Sequence, residues 1–224
     1  MKNSISIAAV LACLSVPAFA GDLSAPMVEA PIMVAEPVFV PAWAGGYVGG
    51  NVNYGFGSLD ATGALAAGLA GAGFGPNISE PDGVNGALRA GYDWQFGRGV
   101  FGLGGEYNFG SYEGGGEGFY AGSGLNVEVE DMATIFARAG YAVNDQFLAY
   151  GLLGYSQAEG TATQGGASTT VDLDGVTFGL GGEYKFTQNW SAYGEYAYTD
   201  FGDIDSLPLE ADLQQIKFGV NYRW

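Results

Sequence analysis

The sequence predicts an all-β fold, an eight-stranded antiparallel transmembrane up-and-down β-barrel, and three observations predict it. Eight runs alternate apolar with small or polar residues at period two. The segments joining them alternate between long and short. The apolar face of the runs carries its aromatics at the strand ends. Glycine supplies 40 of 224 residues without a Gly-X-Y period, and 14 Phe, 14 Tyr and 4 Trp add a large apolar content, which excludes collagen-like and disordered chains. The 24 acids against 7 Lys and Arg leave a net charge of −17, so no nucleic acid partner is expected. His is absent, which removes the commonest general base and metal ligand.

Two segments precede the runs. Lys2, the apolar stretch 5–16 and the small-x-small site Ala18-Phe19-Ala20 predict a signal peptide over residues 1–20. Its removal takes away Lys2 and Cys13, the one cysteine, so the mature chain keeps six cations and can form no internal disulfide. Lipoprotein cleavage before Cys13 is the competing reading, although Leu11-Ala12 fits it less well. Residues 21–42 hold Pro26, Pro31, Pro37 and Pro41, too closely spaced for a helix or central strand, and predict an extended linker before a barrel over 43–224.

The runs follow in order. The first places Val48, Val52, Tyr54 and Phe56 on one face; the second Leu88, Ala90, Tyr92, Trp94 and Phe96; the third Phe101, Leu103, Tyr107 and Phe109. The fourth has Ile135, Ala137, Ala139 and Tyr141, and the fifth Phe147, Ala149, Leu153 and Tyr155. Val176, Phe178, Leu180, Tyr184 and Phe186 make the sixth, and Trp190, Ala192, Tyr196 and Tyr198 the seventh. Ile216, Phe218, Val220, Tyr222 and Trp224 end the chain. Connections 57–83, 110–125, 157–174 and 202–212 are long, whereas 97–98, 142–146 and 187–189 are short. Gly97 suits the first position of a two-residue type II′ turn.

A water-soluble barrel also alternates, but with its apolar set inward. Here the largest aromatics sit at both ends of the apolar face with smaller aliphatics between, as a bilayer requires. The opposite face is rich in glycine, among them Gly49, Gly91, Gly102, Gly104, Gly181 and Gly219, which suits a cramped lumen. It also carries five of the six mature cations, interspersed with acids.

The opening Trp43-Ala44-Gly45-Gly46-Tyr47-Val48-Gly49-Gly50-Asn51, the Arg-Ala-Gly-Tyr repeats at 89–92 and 138–141, and the alternating ending carry a resemblance. The chain resembles the small OmpA-like and opacity-type outer-membrane β-barrel proteins of Gram-negative bacteria. That resemblance implies a cell outer membrane location, extracellular long loops, periplasmic turns and a periplasmic linker. It also implies outer-membrane lipid and lipopolysaccharide as surroundings. Ile216, Phe218, Val220, Tyr222 and Trp224 are similar to the carboxy-terminal signal read by the barrel assembly machinery, with Trp in place of the more usual Phe. A plain last strand that only seals the barrel is the other reading of the same ending.

Nine charges are expected in the lumen: Arg89, Asp93, Glu106, Arg138, Glu183, Lys185, Glu195, Lys217 and Arg223. A two-residue turn at 97–98 puts Arg89 directly opposite Glu106. The network reads either as a structural plug of ion pairs or as a gate, and an interior just wide enough for side chains favours the plug. The glycines of the same face argue for more room. The long loops hold many acids and no Lys or Arg; Asp172-x-Asp174 and Asp203-x-Asp205 complete no calcium loop, so no metal or cofactor is expected. The segment 61–75, with Leu65, Leu69 and Phe74, reads equally as an adhesive contact or as a loop folded back on the rim. Enzymes of the resembled architecture rely on His with Ser or Asp, so the chain is not expected to be one. The expected role is structural or surface-interacting and adhesion-like, with a possible loop partner; the alternative is a narrow porin-like channel.

Overall fold

The structure, a computed structural model, describes residues 41–203 and 208–224. The expected signal peptide and almost all of the expected linker lie outside the described residues. Eight long strands form the wall: β1 (Gly45–Ala61), β3 (Asp82–Phe96), β4 (Gly99–Phe109), β6 (Asn126–Ala142), β7 (Phe147–Gln164), β8 (Ala167–Lys185), β9 (Trp190–Asp203) and β10 (Leu209–Arg223). Two short strands, β2 (Asn77–Ser79) and β5 (Tyr112–Gly115), and the helix α1 (Gly63–Gly71) lie in the first two long connections. Each wall strand pairs antiparallel with the next, and β10 pairs with β1, so the sheet closes. Following the pairing once around the wall from Tyr47 returns to Gly57, a stagger of ten residues. Stagger of that size in eight strands tilts them by about 40° and leaves an interior that side chains can fill.

Alternation decides which face points where. The apolar members of all eight runs are on the outside: Ile135, Leu180 and Phe218 are 69%, 71% and 68% exposed, while Arg89, Asp93, Glu106 and Glu183 on the other face are 5% or less. A continuous apolar exterior around charged inward residues is the reverse of a water-soluble barrel, and hydrocarbon is the solvent that suits it. At the short-turn end, Gly97 has φ +59° while Arg98 stays at negative φ, the pattern of a type II′ turn, and Arg89 pairs directly with Glu106.

The long connections differ from the sequence expectation. The stretch 157–174 is mostly ladder, since β7 and β8 stay paired as far as Gln164 and Ala167. Their hairpin closes through Gly165 and Gly166, both at positive φ (+61° and +86°), as a type I′ turn requires. The physical reason is an inversion of polarity. At the level of Tyr54, Tyr107 and Tyr155, each phenol donates a hydrogen bond to a carboxylate one rung outward: Asp82 (2.9 Å), Asp131 (2.6 Å) and Asp174 (2.8 Å). Beyond this belt Glu159 and Asp172 face outward, while Val127, Val129, Ala158 and Leu173 turn inward and are buried. Water replaces lipid as the outer solvent there, so the strands continue with the opposite pattern. A bulge between Glu130 and Ala133, with Asp131 at φ +53°, resets β6 at the same level.

The segment 61–75 resolves in favour of the folded-back reading. Leu69 of α1 is buried against Ala61 and Ile78, with Leu65, Tyr120 and Leu125 packed around them, while Phe74 remains exposed against Phe119.

Candidate functional site

Barrel closure brings the lumen charges together in two layers. Nearer the short turns, Arg138 donates from Nε to Asp93 (2.9 Å) and from Nη1 to Glu183 (3.1 Å), and Arg223 donates to Asp93 (2.6 Å) and reaches Glu183 (3.5 Å). Ser191 and Asn221 donate to the same Glu183 carboxylate at 2.6 and 3.1 Å. One step further in, Arg89 contacts Glu106 (2.9 Å) and Glu195 (3.1 Å), and Lys217 contacts Glu106 (2.5 Å). Each layer thus holds two acids and two cations. Two anions beside two cations offset the desolvation that an unpaired charge in this space would suffer.

Tyrosines tie the layers together. Arg138 lies over the Tyr47 ring (4.5 Å) and the Tyr150 ring (5.2 Å), and the Tyr150 hydroxyl donates to Glu195 (2.9 Å). Arg89 lies over Tyr193 (4.3 Å) and Phe136 (5.3 Å). Of the nine expected lumen charges, only Lys185 stands apart: at the short-turn mouth it donates to the Ala42 carbonyl and lies 4.9 Å above Trp43.

The lumen glycines do not widen this space, contrary to the expectation of more room. A Cβ at Gly91 would stand 2.5 Å from the Tyr47 hydroxyl, one at Gly104 2.6 Å from the Phe136 ring, one at Gly181 2.6 Å from Tyr150, and one at Gly219 2.6 Å from Tyr193. Each glycine is the seat for an aromatic ring of an adjacent strand. Gly104→Leu is therefore expected to displace Phe136 from Arg89 and destabilise the barrel by about 1–3 kcal/mol. Gly86→Ala, whose Cβ would meet nothing closer than 3.8 Å, serves as the control with an unchanged urea midpoint.

Both ends of the charged lumen are closed. At the short-turn mouth Trp43 is fully buried with Val100, Ala142, Leu148 and Tyr150. Its amide donates to Gln95 (2.7 Å) and its carbonyl accepts from Arg223 (2.7 Å). In the sequence Trp43 stands only at the start of an opening motif; its capping role depends on the wall that surrounds it. Toward the long loops comes a polar rung, in which Thr134, Ser156, Thr177 and Thr199 of four adjacent strands are joined by hydroxyl contacts of 2.7, 2.6 and 2.8 Å. Above it an apolar cluster of Tyr112, Val129, Met132, Ala158, Leu173, Phe201 and Leu213 packs inside the barrel.

Four residues of the expected assembly signal, Ile216, Phe218, Val220 and Tyr222, lie on the outer face of β10 and Trp224 directly follows the strand, all five exposed. At its end the Trp224 amide donates to the Gly46 carbonyl (3.2 Å), and a Cβ at Gly46 would stand 2.6 Å from the Trp224 indole, so this glycine leaves room for the last side chain.

Comparison with known proteins agrees with this architecture. The chain is 29% identical to the 31 kDa outer-membrane immunogenic protein of Brucella melitensis, over 99% of this chain and all of that one. It is 28% identical to a 22 kDa outer membrane protein of Rhizobium leguminosarum, over 88% and 82% of the two chains. Among solved structures it is similar to the outer membrane protein OprG of Pseudomonas aeruginosa (TM-score 0.52, 12% identity, 81% and 96% covered). It is also similar to Neisserial surface protein A (TM-score 0.50, 16% identity, 81% and 98% covered). These last two show the fold alone. A family model described as the outer membrane protein beta-barrel domain matches residues 6–223. The closed antiparallel barrel with its apolar belt agrees with that description, and the chain belongs to this family, as a protein of the outer membrane.

Proposed function

We propose that the protein is a non-conducting structural barrel that acts through its extracellular surface. The observation that carries this reading is the filled lumen: two balanced charge layers lie between an apolar stopper at the periplasmic mouth and an apolar cluster at the extracellular end. The pairing of each charge layer and the apolar closures at both ends argue against a conducting path. The same packing argues against catalysis, because the carboxylates gathered in the lumen are engaged by Arg, Lys, Ser, Asn or Tyr. The extracellular strands and loops bear acids and no Lys or Arg, a surface suited to a partner presenting positive charge. The Brucella relative's name as an immunogenic protein fits exposure at the cell surface. The lipid-facing carboxy-terminal residues, Ile216 to Trp224, are free to be read by the assembly machinery before the wall closes.

Single-channel recording in planar bilayers tests the reading. Both the wild type and Arg89→Ala are expected to be silent, since that substitution leaves Glu106 with Lys217 and both apolar closures in place. Discrete, reproducible current steps from the variant would instead make the ion pair a gate and the protein a narrow channel.

A further inference from the structure

Inside the extracellular end of the barrel is a cavity of about 110 Å³, walled by Val127, Val129, Val171, Leu173, Leu209 and Ala211. Its floor is the apolar cluster, and the hydroxyl rung lies below that, so the cavity is blind. The lining is mostly apolar, with Ser58, Thr161 and Thr169 as its neutral polar side chains, so water inside would find few hydrogen-bond partners and a small apolar molecule is the better-matched occupant. One charged residue lies along its lining, Asp212, whose carboxylate already accepts from Ser58 (2.7 Å). No Lys or Arg stands among the described residues beyond the tyrosine belt, so nothing there would hold a carboxylate or phosphate head. Access is available at one seam: the β8–β9 ladder ends at Val176 and Asp200, whereas β8 runs on to Ala167.

We propose that this cavity binds a small, uncharged apolar molecule of about the size of benzene. The assignment is independent of whether the barrel conducts. The test is methyl NMR of the protein, purified from outer membranes into nanodiscs, during titration with benzene. Methyls of Val129, Val171 and Leu173 are expected to shift saturably. Those of Leu103 and Leu153, which face lipid, should shift only in proportion to partitioned benzene. Ala211→Leu and Val129→Phe each fill the cavity and should weaken saturable binding about tenfold or more. Heat-dependent electrophoretic mobility checks that each variant is folded. Lining methyls that merely track the lipid-facing ones would overturn the proposal. So would decanoate shifting them as strongly as benzene, because that would require an anionic head to be accepted.

Discussion

Arg138→Ala is expected to destabilise the barrel by about 3–5 kcal/mol, the cost of leaving buried carboxylates without their partner. Arg138 and Arg223 both bridge Asp93 and Glu183, and Arg138 makes the closer contact with Glu183 and also lies between the Tyr47 and Tyr150 rings. With it gone, two acids face Arg223, and Lys185 is already turned to the Ala42 carbonyl. The charge explanation makes a sharper claim than simple loss of packing. Adding Asp93→Asn to Arg138→Ala removes one uncompensated anion and leaves Glu183 with Arg223, so the double variant should unfold at a higher urea concentration than the single one. Urea titration from lipid vesicles, followed by circular dichroism, reads both. If the second substitution lowers stability further, the cost lies in packing rather than charge.

Trp43→Ala should cost about 3 kcal/mol or more, in the range for deleting a buried indole. Its ring closes the short-turn mouth over Val100, Ala142 and Leu148, and its backbone joins Gln95 to Arg223. Its removal should also admit water to the first charge layer, so amide exchange of Leu148 and Ala142 should quicken while that of Ser156 and Thr177 stays slow. Uniform acceleration along the barrel would mean that Trp43 supports the whole wall rather than the mouth.

What the sequence made legible is the part that lipid selects. Ile135, Leu180 and Phe218 face hydrocarbon, so their alternation is clean, and a two-residue turn fixed the pairing of Arg89 with Glu106. Where the outer solvent becomes water the rule reverses: Val127, Val129 and Leu173 lie inside and Glu159 and Asp172 outside, and these stretches read as loops. Contacts across the lumen, such as Arg89 with Glu195 or Arg138 with Glu183, depend on the ten-residue stagger, which no single hairpin reveals. The glycines misled for the same reason, since the ring that fills Gly104 comes from Phe136, 32 positions along the chain on another strand.

The junction of Gly46 with Trp224 sets the order of events during biogenesis. The first wall strand finds its second neighbour only in β10, the last strand of the wall, with Tyr47 against Arg223 and Val48 against Tyr222. Local hairpins such as β3–β4 form quickly because their closure loops are short, whereas this pairing carries the largest sequence separation in the wall and is slow to find. Until it forms, two long strand edges expose unpaired amides and carbonyls, and the half-built charge layers lack Lys217 and Arg223. Sealing is therefore a late, all-or-none step, and a chain truncated before β10 is left as an open, aggregation-prone sheet.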